Sequence, residues 1–161
     1  MNRLGWAWVL ALCVALTGCA TPSAVVTDAQ SSTWAGRWAM QVLTDPPQHF
    51  TSGFELRGTP QSGELTLLSP LGQMAAVASW SPHDGARLVR GAQTDQYPDM
   101  NTLTEALTGT ALPLPPLFAW LQGHPMAVEG WTVDLSRHTE GRILATRQTP
   151  APAVQLRIVL Q

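Results

Sequence analysis

Reactive side chains are few. The chain of 161 residues has two cysteines and four histidines. Cys19 closes the string Leu16-Thr17-Gly18-Cys19, at the end of a short apolar run. Leu-x-Gly-Cys in that setting is the pattern of a bacterial lipobox, whose cysteine takes up lipid and becomes the new N-terminus. Cys13 lies inside the apolar run and leaves with it. The mature chain is then expected to hold no disulfide and no thiolate metal site. His49, His83, His124 and His138 have no metal-ligand spacing. There is no Gly-x-Ser-x-Gly, no glycine-rich phosphate loop, and the carboxylates are scattered. No catalytic residue, metal or cofactor is expected, and the chain does not read as an enzyme.

The elements that would place Cys19 are legible. Met1-Asn2-Arg3 is a short cationic head, and residues 4–16 are a mostly apolar run. Thirteen residues fall short of the ~20 that span a bilayer as a helix. Residues 1–18 therefore read as a lipoprotein signal peptide, and 19–33 as a lipidated N-terminus with a flexible tether rich in Ala, Ser, Thr and Val. Such a tether gives roughly 20 Å of travel from the bilayer. Ala20, in place of Asp, points to the outer membrane, facing the periplasm. Without the signal, eight arginines stand against eleven Asp and Glu, and there is no lysine. That weakly acidic balance argues against nucleic acid and against a polybasic lipid site.

Residues 34–161 read as one mainly β domain. Large apolar residues alternate with polar ones over 34–42, 49–57, 64–68, 73–80 and 86–91, with 93–97 as a sixth candidate. The period then lengthens. Thr102 and Glu105 have capping-box spacing, with Gly109 as the stop. Pro115 or Pro116 opens a second helix, with Leu114, Leu117, Phe118 and Leu121 on one stripe and Gly123 as its cap. Alternation returns at 131–136, 142–148 and 154–160. Eight or nine short strands and two short helices suggest a mainly antiparallel sheet curved over a helical insert. Ser69-Pro70-Leu71-Gly72 fits a type I turn between two strands, with Leu71 at the position that faces solvent. That leucine either folds back on the sheet, is one ordinary exposed leucine, or marks a contact.

The chain resembles the LolB family of outer-membrane lipoproteins. The matching pieces are Leu16-Thr17-Gly18-Cys19, the strand opening Gly36-Arg37-Trp38, and Leu67-Leu68-Ser69-Pro70-Leu71-Gly72. Next come Tyr97, Leu107-Thr108-Gly109, then Leu112-Pro113-Leu114 with Leu117, Trp120, Leu121 and Gly123, and finally Trp131 and the last strand. The resemblance implies an unclosed antiparallel β-barrel with short helices at the opening and an apolar cavity. Here the fold is expected in a shortened version, because 124–130 and 137–153 are compressed. It implies a monomeric receptor that accepts lipoproteins from a LolA-like periplasmic carrier and inserts them into the outer membrane. Leu71, with Pro70 and Gly72, is the matching membrane-contacting loop. The partners implied are that carrier, the acyl chains of the lipoprotein cargo, and outer-membrane lipid through acylated Cys19.

Acyl chains are held by burial, at ~0.8 kcal/mol per methylene, and need no fixed hydrogen bonds. The candidate lining is the apolar face of the strands: Trp38, Met40, Phe54, Leu56, Leu65, Leu67, Met74, Trp80 and Leu88, joined by Leu114, Phe118 and Leu121 from the helices. The competing reading is a lipoprotein that binds another hydrophobic ligand or serves as an assembly scaffold.

Overall fold

The computed structural model describes residues 31–161. The signal, Cys19 and most of the tether lie outside the described residues. Nine strands form one sheet: β1 (Ser32–Leu43), β2 (Gln48–Gly58), β3 (Gly63–Leu68), β4 (Met74–Ser81), β5 (Gly85–Arg90), β6 (Gln93–Tyr97), β7 (Trp131–Asp134), β8 (Arg142–Arg147) and β9 (Ala153–Leu160). The spatial order is β6-β5-β4-β3-β2-β1-β9-β8-β7, every pairing antiparallel. β6 and β7 stand at opposite edges, so the barrel is not closed. Period-two alternation forces this arrangement to be two-faced. Met40, Phe54, Leu56, Trp80, Leu88, Leu156 and Ile158 are buried on the concave face, while Arg37, Glu64, Arg87 and Arg157 alternate with them outside.

The first strand starts at Ser32 rather than Trp34, so two residues read as tether belong to the sheet, where Ser32 faces Gly58 and Thr33 faces Arg57. β1 lies between β2 and β9 and so joins the first six strands to the last three. Gly36 breaks its run of large even residues for a spatial reason. A Cβ there would sit 2.1 Å from the carbonyl oxygen of Val159, so only glycine lets β9 approach this closely.

The segment between β6 and β7 carries α1 (Met100–Thr108) and α2 (Leu114–Leu121). The start of α1 differs from the capping-box reading. Asp99 is the N-cap, its Oδ1 accepting from the Thr102 amide at 2.8 Å and the Thr102 hydroxyl at 2.9 Å. Thr102 is thus one turn inside the helix, because an ionised carboxylate at the first position outcompetes a hydroxyl for the free amides. Gly109 ends the helix in the left-handed region, its N–H on the Glu105 carbonyl. α2 has Pro113 as its N-cap and proline at its start, where backbone amides lack helical partners anyway. Gln122 is its C-cap, and Gly123 follows with φ of 80°.

Candidate functional site

Both helices lie across the concave face. Six residues of α2 are buried: Leu114, Pro116, Leu117, Phe118, Trp120 and Leu121. Phe118 is the wedge. Its ring meets Trp34 of β1 edge-on at 5.3 Å and Trp80 of β4 edge-on at 6.3 Å. Edge-to-face contacts of this kind add about 0.5–1.5 kcal/mol each beyond area burial.

Beneath the helices is an enclosed apolar site. Seven of the expected lining residues meet there: Trp38, Phe54, Leu56, Leu65, Trp80, Leu114 and Leu121. Met100, Thr104, Leu112, Leu117 and Ile158 complete it and were not among the candidates. Thr104 is the one polar type, and its hydroxyl is already engaged, donating to the Asn101 carbonyl and accepting from the Leu112 amide. Trp38 is also satisfied, its indole N–H donating to the Ser52 hydroxyl. Met40, Leu88 and Phe118 are buried in the surrounding core, and Leu67 is half-buried.

The free volume is only about 30 Å³, against ~300–1,000 Å³ for ordinary ligand pockets. The apolar face is present, but its own helices fill it.

Met74 is the exception among the candidates. It is 69% exposed. Leu67 pairs with Ala76 but Leu68 pairs with Met74, a bulge that inserts Ala75. The extra residue reverses the alternation, so Met74 leaves the inner face and joins Leu68 outside.

The turn beyond this bulge forms as the residues dictate. The Gly72 amide donates to the Ser69 carbonyl at 2.8 Å, and the Ser69 amide to Gln73 at 2.8 Å. Gly72 has φ of 77°, the left-handed geometry that closes a three-residue hairpin. Leu71 is 85% exposed at the tip. It does not fold back on the sheet.

An inward-facing arginine also escapes the sequence reading. Arg147 on β8 keeps step with Ile143 and Ala145 and is buried. Its guanidinium lies 5.8 Å from the Trp131 ring, and Nη2 donates to the Pro152 carbonyl at 3.1 Å. Its Nε has no partner. Burial lowers its pKa from the ordinary arginine value, opposed by Glu105 of α1. The inward parity was the available signal, masked by the residue's polarity. Trp120 of α2 meets Trp131 at 5.8 Å and donates to the Met126 carbonyl, which ties α2 to the returning strands.

His49, His83, His124 and His138 are not brought together, and no group of three or more His, Cys, Asp or Glu could hold a metal among the described residues. No described helix is long and apolar enough to cross a membrane.

These features define a class: unclosed antiparallel β-barrels with an apolar concave face, helices laid across it, and a projecting hairpin with an exposed apolar tip. The family model for outer membrane lipoprotein LolB matches residues 31–155, and the chain belongs to that family. A relative named outer-membrane lipoprotein LolB from Cupriavidus taiwanensis is 28% identical over 138 residues, covering 78% of this chain and 67% of the relative. A protein of the same name from Nitrosomonas europaea is 31% identical over 157 residues, covering 82% of this chain and 69% of the relative. The match to its namesake from Cupriavidus pinatubonensis is 34% over 84 residues and spans only 40% of that relative.

Proposed function

We propose that this protein is an outer-membrane receptor for lipoproteins. It accepts them from a LolA-like periplasmic carrier and inserts them into the outer membrane. Cys19 would carry the lipid that holds it there, facing the periplasm. The observation that carries the reading is the apolar interior between sheet and helices.

The closed interior bears on how cargo enters. Leu114, Leu117 and Leu121 of α2 occupy the concave face as acyl methylenes would. Exchanging one apolar occupant for another changes hydrophobic burial little. Helix displacement is therefore offset by cargo burial, at ~0.8 kcal/mol per methylene. An empty receptor closed in this way shields its face from water until cargo arrives. Release to the bilayer runs downhill, because the membrane buries the chains without displacing a helix. Leu71 adds about 1.5–3 kcal/mol if buried in the bilayer, enough to favour docking and too little to anchor.

The test is transfer. Carrier loaded with lipoprotein is mixed with this protein and the cargo is followed from one to the other, then into vesicles. Transfer through a complex of cargo with this protein is expected. A folded protein that takes up no cargo would overturn the reading.

The near-absence of free volume favours the second reading, an assembly scaffold, over a binder of another hydrophobic ligand. Lipid co-purifying with the protein separates the two, since a scaffold carries none.

A further inference from the structure

The hairpin borders an open groove of about 540 Å³ on the outer face of the sheet. Its lining includes Arg37, Thr51, Gly53, Leu68, Pro70 and Leu71. Gly53 faces Leu68 across the strands and contributes no side chain to the floor. Arg37 is exposed, and among the described residues it has no ion pair. Arg57, Arg90, Arg137 and Arg142 are each matched to a carboxylate, and Arg147 is buried; Arg87 and Arg157 are exposed without an ion pair among the described residues too, but neither lines this groove. No Asp or Glu side chain lines the groove, Gln161 also lines it, and Glu55 nearby on β2 is held by Arg57.

We propose that this groove is a phospholipid headgroup site, in which Arg37 binds the phosphodiester while Leu71 and Met74 enter the acyl layer. The proposal rests on the reading that the hairpin meets the membrane, and it adds the chemistry that receives it. A guanidinium presents a fork of N–H donors that matches two phosphate oxygens. The Thr51 hydroxyl in the same groove supplies a further donor. The layering matches a bilayer: exposed apolar tips at Leu71 and Met74, then a free cation set back from them. A long arginine stem spans apolar surface while its head stays at headgroup level. The apolar wall of Leu68, Pro70 and Leu71 suits a lipid and offers nothing to a bare phosphate ion.

The mature lipidated protein, anchored in vesicles, provides the test. A polarity-sensitive fluorophore on Gln73→Cys reports hairpin docking; Gln73 holds the turn through its backbone. In vesicles of phosphatidylethanolamine and phosphatidylglycerol, Arg37→Gln is expected to lower the docking constant roughly five-fold. Arg37→Lys keeps most of it. In vesicles of digalactosyl diacylglycerol, which has no phosphate, all three proteins dock alike. If Arg37→Gln docks on phospholipid as the unaltered protein does while Leu71→Glu fails to dock, the headgroup site is wrong and the hairpin contact stands. If Leu71→Glu also docks normally, the hairpin reading fails and takes this proposal with it.

Discussion

At the scale of single residues, the hairpin shows what alternation reports and where it stops. Leu71 was only half legible: turn chemistry puts it where a side chain commonly faces solvent but leaves folding back open, the family resemblance favours projection, and the structure leaves it 85% exposed. Met74 was not legible as an outward residue. Its parity with Trp80 predicts an inward side chain, and only the pairing across the strands reveals the extra Ala75. Arg147 failed in the opposite direction, since a polar type in a weak strand gives no reason to place it inside. Leu71 supports a direct prediction. Leu71→Glu should change stability by less than ~0.5 kcal/mol, because the side chain touches little. Cargo uptake should continue and release into vesicles should fall. Thermal unfolding and a release assay check the two halves, and normal release would remove Leu71 from the mechanism.

At the scale of elements, the two helices decide whether the interior is open. Both are legible in outline from the change of period and the prolines, but the N-cap of α1 lies at Asp99, three residues before the Thr102 that capping-box spacing indicates. Asp99 now carries a prediction of pH dependence. Hydrogen bonds from the Thr102 amide, and then from its hydroxyl, hold the Asp99 carboxyl below its ordinary 3.8. A depressed carboxylate pKa contributes stability above the unfolded-state value and loses it as pH falls through the folded one. Asp99→Asn keeps a capping oxygen but cannot titrate. Its stability relative to the unaltered protein should therefore improve as pH drops from 5 towards 3, as read by urea unfolding at each pH; a constant difference would contradict the cap assignment. Phe118 sets the hold of α2. Removing a ring wedged between Trp34 and Trp80 should cost about 3–5 kcal/mol. Phe118→Ala should also bind a small apolar fluorophore that the unaltered protein excludes. A loss under ~1 kcal/mol with no uptake would mean that α2 is held elsewhere.

At the scale of the whole molecule, the number of strands and the unclosed antiparallel architecture follow from alternation together with the family resemblance. The neighbours β1 and β9 do not, because they pair over more than a hundred residues of sequence and periodicity carries no partner information. The filled interior was equally hidden. A pattern tells which residues face inward, and it does not tell how near the opposing layer stands. If an acylated Cys19 anchors the protein as proposed, the sheet also fixes how far residues 19–31 must reach. Ser32 lies beside Gly58, and Gly58 beside Gly63, so the chain enters at the far end of β3 from the hairpin. That separation is roughly 17 Å along the strand to Leu68, and the tip at Leu71 stands three residues beyond it. From Cys19 to Ser32 the chain reaches at most ~45 Å, and removing 22–29 cuts this to ~18 Å. The shortened protein should stay lipid-anchored and fold normally, yet lose most hairpin docking and release. Unchanged release by that deletion would show that anchor and hairpin need not reach one bilayer together.

In the proposed mechanism, cargo acyl chains replace the helices on the concave face. The most direct measurement of this uses cargo whose acyl chains carry a photoreactive group, crosslinked during transfer and mapped by mass spectrometry. Adducts are expected on Trp38, Leu65 and Leu114, which line the enclosed apolar site, and these should disappear once cargo enters vesicles. Transfer that proceeds with adducts confined to Leu71, Met74 and the outer groove would contradict it.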